Sequence, residues 1–198
     1  ADLGLQSFKF LDAGLFAKVY AAESSLGPVA IKVFKSKVNL PAMEAAGIDI
    51  GVGREAYQRF NILENRPRNF NLVEVLYAGD APPKALGPAS SGKGEKIVVM
   101  RLVDGKKLSD YIKEHKLSRE DWTGLEEGIR QLHELGYSLR ELHDGNIMVT
   151  QDTQGRPQFT LIDTDFMLTR EKVGAEYFQT KVAKERSAPA DMDAALVR

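Results

Sequence analysis

Asn146 and Asp163 are the residues whose types and spacing most directly suggest chemistry. They stand 17 apart, and between them run Ile147 to Val149, the turn formers Gln151-Asp152-Thr153-Gln154-Gly155-Arg156-Pro157, and Phe159 to Ile162. Two brief apolar strands around such a turn predict a hairpin whose ends fall close together. Asn146 and Asp163 would then offer a neutral and a charged oxygen to one hard cation such as Mg2+. Glu141, five residues before Asn146, would stand at the rim of the same site, where a substrate hydroxyl reaches it. Asp144 is the nearest alternative carboxylate, and His143 reads as a local hydrogen-bonding or phosphate-contacting residue.

The elements that position this hairpin are sought upstream. Phe8 to Tyr20 reads as two strands joined by a tight turn. Gly14 permits a positive φ or a close approach, and small Ala17 leaves backbone exposed, so the turn suits either a lid over phosphates or an ordinary hairpin. Phe16 is a core or lid residue in the two cases. The next strand, Pro28 to Phe34, is apolar apart from Lys32 in its middle. An unpaired buried ammonium is costly, so Lys32 either snorkels to solvent or meets an anion. A helix follows over Val52 to Glu64, with Ala56, Tyr57, Phe60 and Leu63 on one face and Glu55 near its start. Glu55 is the expected partner of Lys32, with Glu44 as the rival and solvent exposure as the plain alternative.

Residues 36–51 read as an irregular connection with one helical turn, and Leu72 to Tyr77 as a strand. Pro82, Pro83, Gly87, Pro88, Ser90, Ser91, Gly92 and Gly94 mark a long surface hairpin or mobile loop before a strand at Ile97 to Met100. Arg101 to Asp104 is the natural border between a sheet-rich first part and a helical second part. Beyond it, Leu108 to His115 and Trp122 to Leu135 are helical. Ser118 and Asp121 form a capping box at the start of the longer helix, Trp122, Leu125, Ile129 and Leu132 make its core stripe, and Gly136 stops it. His133 is either a core-edge or a solvated histidine.

Composition narrows the partners. With 198 residues, 43% apolar and 28% charged, the chain suits one globular domain in two lobes. A net charge of -1 and the lack of a basic-aromatic groove motif argue against nucleic acid. No apolar run reaches the roughly 20 residues of a membrane span. The absence of cysteine excludes disulfides and thiolate chemistry, and His115, His133 and His143 lack the spacing of a zinc site.

Taken in order, the loop with Gly14, Phe16 and Val19, then Val29-Ala30-Ile31-Lys32, Glu55, Val98 to Leu102, Leu135 to Asn146 and Ile162-Asp163-Thr164-Asp165 resemble the protein-kinase-like superfamily over Phe8 to Phe166. The ending at Asn146 is closer to the small-molecule and atypical branches. The resemblance implies an α+β, bilobal fold over 1–198: a small antiparallel N-terminal sheet with one long helix at 1–100, a hinge at 101–104 and a reduced helical lobe at 105–198. It implies ATP and Mg2+ as cofactors. Lys32 would contact the α/β phosphates and pair with Glu55, while Asn146 and Asp163 hold the metal. Gly14, Phe16, Val19, Ala30, Met100 as gatekeeper, Leu102 in the hinge and Met148 beneath adenine would complete the nucleotide site.

Glu141 occupies the position of the family's catalytic Asp. The extra methylene matters there, because a misplacement of roughly 1 Å costs on the order of 10²-fold in rate. Leu139 replaces the catalytic-loop histidine, and Asp12 and Ala17 stand where glycines are usual. Only 33 residues follow Asp165, so the large substrate-binding subdomain and a long activation segment are not both expected. The chain is similar in this to minimal kinases delivered into host cells by bacterial secretion systems. That similarity implies a protein Ser/Thr kinase acting on a host protein in the host cytoplasm, the alternative location being cytoplasmic. A small-molecule kinase and a pseudokinase-like nucleotide-dependent binding module are the alternatives.

Overall fold

The computed structural model describes residues 3–36, 38–46, 49–82, 84–90, 94–140 and 142–194, with side chains as far as Arg186. The architecture is α+β and divides into two compact units, Ala1–Ala45 with Glu74–Leu102, and Ala46–Val73 with Val103–Arg198. The chain therefore passes from one unit to the other after Ala45, Val73 and Leu102, the last of these inside 101–104.

The first unit is an antiparallel sheet of β1 (Gln6–Ala13), β2 (Ala17–Ser24), β3 (Gly27–Phe34), β6 (Lys96–Arg101) and β5 (Val75–Asp80), in that spatial order, with the short helix α1 (Leu40–Ala45). Strand alternation sorts β3 into two faces. Val29, Ile31 and Val33 join Ala22, Ile97 and Val99 in an apolar layer closed by Leu86 and Ala89. Each such fully buried Val or Ile contributes about 1.5–3 kcal/mol, which pins the register against a one-residue slip. Ala30, Lys32 and Phe34 fall on the opposite face by the same alternation.

The second unit carries α2 (Val52–Asn61), β4 (Phe70–Leu72), β7 (Lys106–Lys107), α3 (Leu108–Glu114), α4 (Arg119–Glu134), β8 (Tyr137–Ser138), β9 (Ile147–Gln151), β10 (Pro157–Leu161), β11 (Leu168–Thr169), α5 (Arg170–Val173) and α6 (Ala175–Ala194). Helix α4 starts at the cap that the sequence marks, three residues before the expected Trp122. The Ser118 N–H donates to Asp121 Oδ2 at 2.8 Å and the Asp121 N–H to Ser118 Oγ at 3.2 Å, the reciprocal pair of a capping box. Its stripe of Trp122, Leu125, Ile129 and Leu132 is buried with Phe60, Phe70, Ile147 and Phe159 in one core. Among the described residues no helix is long and apolar enough to cross a membrane.

Two elements differ from the sequence expectation. Helix α2 ends at Asn61 rather than Glu64, because the Leu63 N–H donates to the Phe60 carbonyl and tightens the last turn into a three-residue step. The strand expected over Leu72 to Tyr77 is two strands in two units. Val73 N–H donates to the Leu161 carbonyl (2.9 Å), whereas the next residue, Glu74, accepts from Arg101 N–H (3.0 Å). One peptide link thus changes the strand's partner from parallel β10 to antiparallel β6. A continuous apolar pattern does not reveal which neighbour takes each residue.

Helix α4 approaches β4 closely. A Cβ on Gly128 would lie 2.0 Å from Phe70 Cδ1, and one on Gly124 would lie 1.9 Å from Asn69 Oδ1. Gly128→Ala should lower stability to urea unfolding by about 1–3 kcal/mol, because the buried Phe70 ring has no room to yield. The helix-propensity gain of about 1 kcal/mol does not offset this. Gly124→Ala should cost less, since an Asn side chain can swing aside. Equal stability of Gly128→Ala and the parent chain would refute the close-packing account.

Candidate functional site

Strands β9 and β10 pair antiparallel from Gln151↔Pro157 to Ile147↔Leu161, so the turn lies at one end of the hairpin and Asn146 and Ile162 at the other. The Ile162 N–H donates to the Asn146 carbonyl at 2.9 Å and closes that end. Asn146 and Asp163 are consequently neighbours in space, as the sequence predicts. The hairpin is held from both sides: Ile147, Val149, Phe159 and Leu161 are buried, β4 flanks β10, and β7 flanks β9 with Lys107 opposite Met148.

The approach to Asn146 is a single 3-10 turn over Asp144–Asn146. The Gly145 N–H donates to His143 Nδ1 (3.1 Å) and the Asn146 N–H to the His143 carbonyl (3.0 Å). With Nδ1 accepting, the neutral imidazole carries its proton on Nε2. His143 is therefore a local cap of this turn. The Asp163 side is anchored by Thr164, which is buried beneath the first turn of α2. A Cβ on Gly53 would lie 2.2 Å from Thr164 Oγ1, so only glycine lets this helix sit on the segment behind Asp163. Asp165 is buried as well.

The amide of Asn146 and the half-buried carboxylate of Asp163 are hard oxygen donors, a chemistry that fits Mg2+. Among the described residues no group of three or more His, Cys, Asp or Glu forms a cage. A magnesium site of this type uses one or two protein oxygens, with phosphate oxygens and water completing the shell. Glu141, expected as the base, lies outside the described residues.

The residues just before Glu141 are held by a group that the sequence did not single out. Glu185 of α6 is 3% exposed and accepts four hydrogen bonds: from His133 Nε2 (2.8 Å), Ser138 Oγ (2.6 Å), Leu139 N–H (3.0 Å) and Arg140 N–H (2.7 Å). Arg140 adopts φ +62, a left-handed conformation that a residue with a Cβ adopts only under constraint. Its bonded N–H supplies that constraint. Burial alone would push the Glu185 carboxyl up, but the donors from His133, Ser138 and Leu139 outweigh it and hold the group below the ordinary glutamate value. His133, open in sequence between core edge and solvent, is buried, and its Nδ1 has no partner among the described residues.

Glu55 sits on α2, and its Oε1 accepts from the Tyr137 hydroxyl (2.7 Å) and lies 3.4 Å from Arg59 Nη1. Its carboxylate is thus engaged within the second unit. In the first unit, Lys32 lies opposite Val19 on β2 and Val98 on β6, and Ala30 lies opposite Met100. Gly14 is exposed at the β1–β2 turn, where its N–H donates to the Ala17 carbonyl and its own carbonyl accepts from Lys35 Nζ. Phe16 is partly exposed, and Leu102 follows β6 with its N–H on the Pro28 carbonyl. Val19, Ala30, Lys32 and Met100 are therefore brought together on one sheet.

No protein-family model matches the chain. Over 117 residues it is 33% identical to the 3-deoxy-D-manno-octulosonic acid kinase of Pasteurella multocida, an alignment that covers 55% of this chain and 48% of that enzyme. The chain thus spans about half the length of this curated relative. Among solved structures, the PknI kinase domain of Mycobacterium tuberculosis is similar at 21% identity with a TM-score of 0.48, over 82% of this chain and 60% of that one. A single-substitution mutant of the same PknI domain matches over the same shares at 19% identity with a TM-score of 0.49.

Removing the Glu185 carboxylate orphans four donors, three of them buried. Glu185→Ala should destabilise the chain by about 3–5 kcal/mol in denaturant unfolding, and Glu185→Gln, which keeps one acceptor oxygen, by less. A glutamate with a lowered folded pKa contributes stability that is present above its ordinary pKa and is lost as pH falls through the folded value. The stability gap between parent and Glu185→Ala should accordingly narrow in acid. A gap independent of pH would show that the carboxylate charge is not what holds the loop.

Proposed function

We propose that the chain is an ATP- and Mg2+-dependent phosphotransferase. The observation that supports this reading is the hydrogen-bonded base of the β9–β10 hairpin, which leaves Asn146 and Asp163 at the same end of the hairpin, a few residues after the constrained Arg140. The partial similarity to a sugar-acid kinase supports it. In this reading Asn146 and Asp163 supply the protein ligands of the metal, which when bound neutralises charge on the phosphates. Glu141 orients the acceptor hydroxyl and takes its proton late in transfer, as the new oxygen–phosphorus bond forms and the bond to the departing ADP oxygen breaks. The nucleotide-binding roles expected of Gly14, Phe16, Val19, Ala30, Lys32, Glu55, Met100, Leu102 and Met148 belong to the same reading, as does one kinase-like domain over 1–198.

The preferred acceptor is the hydroxyl of a sugar acid, because the curated relative is named for such a substrate. A protein Ser/Thr hydroxyl, in a host protein if the chain is a delivered effector, is the second acceptor class and rests on the sequence resemblance.

The test is transfer from γ-labelled ATP to 3-deoxy-D-manno-octulosonic acid and, separately, to a protein mixture. Label should appear in the sugar acid and vanish in Asp163→Ala. Glu141→Gln should leave ATP affinity nearly unchanged and cut turnover by about 10² to 10⁴, the range for general acid–base assistance. Label in polypeptide alone would move the acceptor to the second class. Nucleotide binding without transfer to either would reject the enzyme and favour the nucleotide-dependent binding module.

A further inference from the structure

In the first unit, the Gly14 N–H donates to the Ala17 carbonyl at 2.9 Å and closes the β1–β2 turn, with Leu15 and Phe16 at its tip. Lys35, the residue after β3, reaches this turn twice. Its N–H donates to the Phe16 carbonyl at 2.9 Å, and its ammonium donates to the Gly14 carbonyl at 2.5 Å. The backbone bond continues the β2–β3 ladder, in which Ala17 lies opposite Phe34. The side-chain bond has no such cause: a flexible lysine gives up rotamer freedom to hold one carbonyl 21 positions away. Gly14 is not demanded by the shape of the turn, since its φ is not positive and a Cβ there would meet, among the described residues, only the Ala17 carbonyl at an ordinary 3.9 Å. What glycine still supplies at an exposed tip is bare backbone that a ligand can approach.

We propose that Lys35 is a positioning residue that latches the Gly14–Leu15 peptide plane, so that the Leu15 N–H is presented to a phosphate of the nucleotide. This deepens the phosphotransferase reading and rests on it, and it uses residues of the first unit alone. The Gly14 carbonyl and the Leu15 N–H belong to one planar trans peptide and point in opposite directions. Holding the carbonyl on the Lys35 ammonium therefore aims the N–H to the other side, where a backbone donor suits an anion. With the plane turned over, the carbonyl oxygen would face the phosphate and repel it. A charged donor is suited to prevent that, because its hydrogen bond is roughly twice as strong as a neutral one. The turn is then ordered before the ligand arrives, and the cost of ordering it is not taken from the binding energy. Asp12 stiffens the approach in the same way, its Oδ1 accepting from the Ala13 N–H at 2.8 Å.

The experiment follows the Leu15 amide by NMR of the nitrogen-labelled chain, with Mg2+-ATP and with adenosine, which lacks the phosphates, and measures both affinities. In the parent chain Mg2+-ATP should move the Leu15 amide proton downfield, as a new hydrogen bond to a phosphate oxygen does, and adenosine should not. Lys35→Met keeps much of the stem and removes the donor. It should abolish the downfield shift and raise the ATP dissociation constant about three- to tenfold, the range for loss of one hydrogen bond, while adenosine affinity stays unchanged. Lys35→Arg keeps a charged donor and should restore most of both effects. Lys18→Met removes an exposed charge from neighbouring β2, opposite Val33, and should alter neither. Should Lys35→Met not fold, Lys35→Leu carries the same comparison. The proposal is overturned by a Leu15 amide that ignores Mg2+-ATP in a parent that binds it, or by a shift that survives in Lys35→Met. An equal loss in Lys18→Met would overturn it by assigning the effect to charge at a distance, and equal losses for ATP and adenosine would do so by assigning it to damage of the sheet. ATP affinity of Lys35→Met within twofold of the parent, or tighter, would overturn it as well. A parent chain that binds no ATP removes the phosphotransferase reading and this inference together. A parent that binds and transfers but is indifferent to Lys35→Met removes this inference alone.

Discussion

A carboxylate as deeply buried as Glu185 persists only if donors meet its oxygens, and that requirement organises the second unit. The four donors come from three places: His133 near the end of α4, Ser138 on β8, and the backbone of Leu139 and Arg140 beyond it. Satisfying them fastens α6 to α4 and to the segment entering the candidate catalytic loop. The same bonds explain how Arg140 keeps a left-handed backbone without being glycine. Strain of that kind, of order 1–3 kcal/mol, lasts only where surrounding contacts over-determine it.

Helix α2 is fastened to the same unit by two contacts of different character. At its first turn the bare Cα of Gly53 meets Thr164, and close by, Glu55 meets Tyr137. The first is steric and the second polar, so the helix's distance and its rotation about its own axis are set separately. Ala56 and Phe60, both fully buried, fill the face between. Asp163, adjacent to Thr164, thereby inherits its placement from both the hairpin and this helix.

The candidate site residues and the polar groups near them differ in exposure. Asn146, Asp163, His143 and Asp144 are partly or wholly open to solvent, whereas Thr164, Asp165, Ser138, His133 and Glu185 behind them are buried. Buried polar groups with satisfied partners are rigid because any departure leaves an orphan in low dielectric.

Sequence by itself determined the features whose cause is local. The capping box at Ser118 and Asp121, the stripe from Trp122 to Leu132 and the hairpin joining Asn146 to Asp163 each arise from residues within a few positions of one another or from one tight turn. Their periodicity and turn chemistry are legible in a single window. Tertiary structure alone decided the partners of Glu185, which lie 45 to 52 residues away, the contact of Tyr137 with Glu55, the glycine-mediated approaches of Gly53 and Gly128, and the split of the expected strand at Val73 and Glu74. A buried glutamate and a solvated one read alike in sequence. Burial is a property of what the rest of the chain brings to the residue, and hydrogen-bond partners across such separations are selected by packing of the whole core, not by any local pattern.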